Sequence, residues 1–357
     1  MYEVSIGKIE QLLLEETRFL EKMNVVREEV LQYGYYKSFK GGDLERMALE
    51  DAAMPMYIQY PYGVVAVQEA GPFFCRGESK IYPTSKCTLE RFIPKNENER
   101  SSYFFIEAMR LSELSMLFSE LRAVECSKRS EFNFSAVAQH YGFKTDFLDI
   151  TNRIRVALFF ACCKKEKDKP WRPLNKHDFI ATDSADGRYG VLFIQERFKC
   201  GTNLVMPIGY QPFLRCHSQY GYFIPMRSGW DLQDTALGFT MLCFKHDEKF
   251  CRYIFDLNKA GRSIYPDDTD SIFIPTFDKV RETKIFSRMA FEIIYEHRRE
   301  IPFAFPQDYT KEMIIKELGD IQIIDDELIP RHDIDDINKK WCETCANKEN
   351  VGCRKSE

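Results

Sequence analysis

Three clusters in the middle of this 357-residue chain gather side chains whose types and spacing suit chemistry. The first is Phe73-Phe74-Cys75-Arg76-Gly77-Glu78-Ser79, followed by Tyr82, Leu89 and Arg91. An Arg closing an apolar strand offers a planar fork for phosphate or carboxylate, and an adjacent Gly lets a ligand approach the backbone. The competing reading of Arg76 is a structural ion pair at a strand end. The second cluster runs from Gln139-His140-Tyr141-Gly142 through Thr145 to Leu148-Asp149-Ile150-Thr151. His140 is a base, a donor to a ligand, or a satisfied core histidine. Asp149 and Thr151 either cap the helix that follows or face a site, since a buried Asp there must be hydrogen-bonded or paired. The third cluster is Arg215-Cys216-His217-Ser218-Gln219-Tyr220-Gly221-Tyr222-Phe223. If Gln219 opens a strand, period-two alternation puts Gln219, Gly221 and Phe223 on one face. There the Gln219 amide can hydrogen-bond a sugar hydroxyl, or simply bridge backbone groups.

The elements that must position these clusters read as α+β. Apolar residues at three- and four-residue steps predict a long helix over residues 6–33. It is an arm packed on the main body or, alternatively, a helix that binds a partner protein. Short strands are expected at 63–70 and 73–76, then helices at 103–125, 135–142 and 154–164, the last capped by Thr151-Asn152. Residues 164–170 and most of 175–189 read as solvated loops. Strands follow at 190–195, 220–225 and 239–245, and helices at 249–259, 281–299 and 309–318. The expected division is an N-terminal helical arm (1–58), a central α+β domain (59–260) and a helical C-terminal extension with a cysteine-containing tail (261–357).

Composition limits the function. Fifty basic and 55 acidic residues give a net charge of −5, which disfavours a dedicated duplex binder but leaves room for a local basic groove. The 44% hydrophobic content is enough to fill a core. The longest strongly apolar run, 156–163, is too short for a membrane span, and the N-terminus lacks a secretory pattern. Twelve irregularly scattered cysteines then read as reduced thiols in a cytoplasmic protein. Cys342-Glu-Thr-Cys345 has the spacing of half a zinc site, with Cys353 and His332 at hand to complete it. The alternative is free thiols on a flexible end. No metal ligand is assigned to the three central clusters.

Taken together, the clusters resemble the FRG domain, named for a Phe-Arg-Gly motif. The matching stretches are Phe74-Cys75-Arg76-Gly77-Glu78-Ser79, Gln139-His140-Tyr141-Gly142-Phe143-Lys144-Thr145 with Leu148-Asp149-Ile150-Thr151, Ala157-Leu158-Phe159-Phe160-Ala161, and Arg215 through Phe223. Cys75 departs from the motif, standing where the family has Phe. The resemblance implies a remote ADP-ribosyltransferase-like fold, with a split β-core that holds NAD as substrate, in a bacterial defence or toxin setting. It implies that Arg76 anchors the dinucleotide from the first core strand and Gln219 addresses the nicotinamide ribose from a later one. It further implies that His140, Thr145, Asp149 and Thr151 line or brace the pocket, with Gly77, Tyr141 and Arg215 among the NAD-binding residues. Tyr141, Tyr220 and Tyr222 are candidates for stacking on nicotinamide, against a packing role.

The reaction so implied builds an oxocarbenium-like ribose, as glycoside cleavage does. Gln219 brings no negative charge to it, so His140 or Asp149 is the candidate base. A protein or nucleic-acid acceptor makes the chain an ADP-ribosyltransferase, and water makes it an NAD glycohydrolase. A non-catalytic nucleotide- or protein-binding module is the alternative from outside enzymology.

Overall fold

Strand Phe73–Glu78, which carries Arg76, occupies the centre of a seven-stranded sheet. Across the sheet the order is Tyr2–Val4, Thr240–Lys245, Tyr189–Glu196, Phe73–Glu78, Phe147–Thr151, Gly221–Pro225 and Met206–Pro207. The structure, a computed structural model, describes residues 1–33, 57–60, 63–66, 71–126, 133–166, 170–182, 185–197, 204–209, 212–234, 237–266 and 272–346.

The register explains where a cleft opens. Phe73–Glu78 pairs along its whole length with Tyr189–Glu196, from Glu78↔Val191 to Phe73↔Glu196. Phe147–Thr151 pairs along its whole length with Gly221–Pro225. Between these two ribbons the ladder has one residue pair, Cys75↔Thr151. Away from that pair the Arg76 and Asp149 strands part. Within the sheet every pairing is antiparallel except that of Tyr2–Val4 with Thr240–Lys245.

Alternation fixes both faces. Phe73 and Cys75 join one core with the helix Ile154–Cys162, while Phe74 points into the opposite core with Leu148, Ile150 and Phe193. The helix Ile154–Cys162 is apolar on most sides and lies directly on the Arg76 strand. Gly77 permits that approach, because a Cβ there would sit 1.7 Å from the Ala157 carbonyl oxygen. Helix–strand contact alone therefore requires glycine at position 77.

The start of this helix differs from expectation. Its N-cap is Arg153, whose side chain makes no cap. Thr151 Oγ1 accepts from the Arg153 amide at 3.2 Å, but the first helical amide, Ile154 N, donates to Glu16 Oε1 at 2.8 Å. The cap is thus supplied by the helix Ile6–Tyr33, whose Ile9 and Leu12 also enter the core beside Ile154–Cys162. The helix stops at Cys162, two residues before its expected end. The expected loop is in part a hairpin of Cys163–Lys165 with Trp171–Pro173, tied by Lys164 and Arg172 to the Asp178 carboxylate. Asp178 thus pins Lys164, the first residue of what reads as a solvated charge run.

Two further corrections concern strands. Phe147–Thr151, between two expected helices and assigned no element from the sequence, is a strand, because Leu148 and Ile150 alternate into the core. The expected helix 281–299 is broken. The helix Ile274–Glu282 ends, Ile285–Ser287 pairs in parallel with Gln322–Ile324, and Ser287 caps a new helix, Arg288–Glu296. The acidic tail forms the helix Arg331–Ala346, whose Ile334, Ile337 and Trp341 share a core with Leu114, Tyr141 and Phe213. Tyr2–Val4 joins the central sheet, and the C-terminal helix packs with Tyr141. No helix among the described residues is long and apolar enough to cross a membrane.

Candidate functional site

The parted strands form one wall of a cleft of about 250 Å³, and the helix Ile154–Cys162 and residue Gln219 close it. Arg76, Gly77, His140, Asp149, Thr151 and Gln219 all line it, bringing together residues from the three sequence clusters.

Arg76 is held before any ligand arrives. Its Nε donates to Glu78 Oε1 at 3.1 Å and its Nη1 to the Asp149 carbonyl at 2.9 Å. Glu78 is fixed in turn by Ser85 Oγ at 2.9 Å. The ion pair foreseen as the structural alternative thus exists. It spends Nε and Nη1, while Nη2 has no protein acceptor among the described residues. Arg91 and Tyr82 stand in the same cleft. Partial burial and the like charge of Arg76 pull the Arg91 pKa below its ordinary value. Two guanidinium groups sharing a cleft have the chemistry to hold an anion.

Gln219 is not on a strand. It follows the short helix Leu214–Ser218 and precedes Tyr220, which adopts a left-handed φ of 50°. Its place outside the ladder removes the expected alternation with Gly221 and Phe223. Thr151 Oγ1 donates to the Gln219 carbonyl at 2.8 Å, binding this turn to the Asp149 strand. The side chain reaches His140, with Gln219 Oε1 2.7 Å from His140 Nδ1. Gln219 Nε2 faces the Ile264 carbonyl at 3.5 Å, which assigns Oε1 as the acceptor and places the His140 proton on Nδ1. Gly221 leaves room for the ring, since a Cβ there would be 3.0 Å from His140 Nε2 and 2.5 Å from Ile208 Cδ1.

The consequence lies on the other side of the imidazole. His140 Nε2 faces Asp149 Oδ1 at 3.7 Å, and neither atom has a hydrogen-bond partner among the described residues. In this tautomer both are acceptors. A hydroxyl or a proton between them satisfies the pair. The imidazole is buried, whereas the Asp149 side chain is 37% exposed toward the cleft. Asp149 is therefore a strand residue at a cleft wall and not a helix cap.

Three expected NAD-binding residues do not line the cleft. Tyr141 is buried against Phe213 and Phe277. Arg215 lies over the Tyr141 and Tyr265 rings and donates to the His140 carbonyl at 3.1 Å. Thr145 donates to Gln139, whose amide donates to Thr88. These side chains brace the His140 segment from behind. Tyr220 and Tyr222 also stay out of the cleft. Tyr220 has the Arg153 guanidinium 4.2 Å from its ring centroid, and Tyr222 packs on Phe74 at 5.1 Å. The aromatic residues that do line it are Tyr82 and Phe160. Tyr82 and Arg91 were visible downstream of the Arg76 motif, but nothing in their spacing pointed to the cleft.

The C-terminal zinc reading loses one ligand. His332 and Cys342 lie on one helix, ten residues apart, or roughly 15 Å along its axis at 1.5 Å per residue. They cannot share an ion. The Cys345 side chain and all of Cys353 lie outside the described residues.

Residues 72–170 match the FRG domain, covering the Arg76 and His140 clusters and the helix Ile154–Cys162. No curated protein and no solved structure matches the chain.

Proposed function

The chain carries an FRG domain and belongs to that family, and on that premise we propose that it is an NAD-dependent ADP-ribosyltransferase of a bacterial defence or toxin type. It cleaves the nicotinamide–ribose bond and passes ADP-ribose to a macromolecular acceptor, protein or nucleic acid. The observation that supports this reading is the convergence of Arg76, His140, Asp149 and Gln219 on one cleft, where the sheet parts. Two ribbons joined at a single residue pair suit the split β-core of the ADP-ribosyltransferase-like fold.

The chemistry follows from the groups present. Arg76 Nη2 and Arg91 take the pyrophosphate. The cleft volume is below that of usual small-molecule pockets, about 300–1,000 Å³, so it encloses the reacting half of NAD and leaves the remainder along its open side. As nicotinamide departs with the bonding electrons, positive charge grows on the ribose. Glu78 is committed to Arg76 and Ser85, so Asp149 is the carboxylate left to offset that charge. The acceptor oxygen bonds to the ribose carbon and its proton passes to His140 Nε2, whose lone pair the Gln219 contact exposes. Gln219 acts mainly by setting the tautomer. With water as acceptor, the same steps describe an NAD glycohydrolase.

Mass spectrometry after incubating the purified full chain with NAD, with and without cell lysate, tests the proposal. ADP-ribosylated protein or nucleic acid supports the transferase. Free ADP-ribose and nicotinamide alone indicate the hydrolase. NAD binding without nicotinamide release indicates a binding module, and neither binding nor turnover overturns the reading.

A further inference from the structure

Cys162, His246 and Cys251 meet at the C-terminal end of the Ile154–Cys162 helix. Their ligand atoms all lie within 4.8 Å of one another, and all three residues are buried. Each comes from a different element: Cys162 ends a helix, His246 follows the strand Thr240–Lys245, and Cys251 lies in the helix Glu248–Leu257.

The imidazole is oriented for ligation. His246 Nε2 is 3.0 Å from the Ser79 carbonyl, which accepts a hydrogen bond from the Nε2–H and leaves the lone pair on Nδ1. Nδ1 faces Cys251 Sγ at 3.7 Å. A histidine whose other nitrogen donates to a backbone carbonyl is the usual outer arrangement of a metal-bound histidine. Phe179 stacks on the ring at 4.9 Å, and Gly190 makes space for it, since a Cβ there would meet His246 Cε1 at 2.9 Å. The ring is therefore held by Phe179 and the Ser79 carbonyl with Nδ1 turned toward sulfur.

We propose that Cys162, His246 and Cys251 bind a divalent cation of the zinc class, with a fourth position open to water. In tetrahedral coordination, metal–sulfur and metal–nitrogen bonds of about 2.3 and 2.0–2.1 Å separate sulfur from nitrogen by about 3.6 Å and the two sulfurs by about 3.8 Å. The observed separations reach those values with small side-chain rotations. Two thiolates neutralise a divalent ion, which removes the cost of burying charge. Soft sulfur with imidazole selects zinc-class ions over magnesium or calcium. A surface groove lined by Glu3, Ser5, Lys245, His246 and Asp247 reaches the histidine of this trio. The ion ties the end of the helix that forms the cleft wall to the end of the strand Thr240–Lys245, and through Ser79 to the end of the Arg76 strand. This site is independent of the NAD reading.

Cobalt(II) titration of the chelator-treated full chain tests it. The expected result is one equivalent bound per chain, thiolate-to-cobalt charge-transfer absorption, displacement by zinc, and a higher thermal midpoint. Cys251→Ser abolishes the charge-transfer absorption, and Cys342→Ser, altering an exposed helix residue, retains it. Absence of that absorption in the wild-type chain overturns the proposal. So does its persistence in Cys251→Ser, or a Cys162–Cys251 disulfide in place of metal.

Discussion

His140 Nδ1 lies 2.7 Å from Gln219 Oε1, joining two residues 79 positions apart and turning the unprotonated Nε2 toward Asp149. This contact couples the second and third sequence clusters and determines which nitrogen of the ring faces the cleft.

Replacing His140 tests its part in proton transfer. His140→Ala is expected to lower nicotinamide release from NAD by about 10²–10⁴-fold, the usual range for a lost general base. NAD affinity, read by calorimetry, changes far less. Equal turnover in the two proteins rules out the role of Nε2.

Arg76→Lys keeps the charge and loses the fork. Charge-assisted hydrogen bonds contribute about 1.5–3 kcal/mol, so the NAD dissociation constant is expected to rise about 10–150-fold. An unchanged dissociation constant shows that Arg76 serves only its Glu78 pair.

Gly77→Ala separates packing from ligand approach. The added methyl meets the Ala157 carbonyl at 1.7 Å, so overpacking is expected to cost about 1–3 kcal/mol of stability in urea unfolding. Unaltered stability with weaker NAD binding reverses the assignment made above.

Glu16 carries a pH signature. Burial raises its pKa above the ordinary 4.5, outweighing the nearby Arg153 charge and the Ile154 hydrogen bond. The folded chain therefore holds this proton more tightly than the unfolded chain. The contribution is fully present below about pH 4.5 and is lost as pH rises through the folded pKa. Glu16→Gln keeps an acceptor for Ile154 and removes the titration. Its stability relative to wild type, from urea midpoints, is expected to rise from pH 4.5 upward. A difference that is constant with pH contradicts this account. Glu16→Ala, which removes the cap altogether, is expected to cost about 0.5–2 kcal/mol.

Much of the fold was legible locally, because periodicity is a local property. The helix Ile6–Tyr33 and the strands Tyr189–Glu196 and Thr240–Lys245 follow their apolar patterns. Phe147–Thr151 escaped, since its polar alternate positions face a cleft that has no local signature. Gln219 reads as preceding or opening a strand, and the face expected for it holds only if alternation continues smoothly into Gly221–Pro225. The left-handed Tyr220 interrupts it, and a Tyr carries no warning of that conformation.

Composition and residue order alone identified the FRG motifs, the mixed helix-and-strand class and the three clusters whose residues meet at the cleft. Those features are encoded within short windows of chain. Which members of a cluster reach the cleft depended on contacts between distant segments. Tyr141, Thr145 and Arg215 brace from behind, Gly77 yields to Ala157, and Glu16 caps a helix 138 residues away. Such contacts are set by the packing of whole elements, and no spacing along the chain records them.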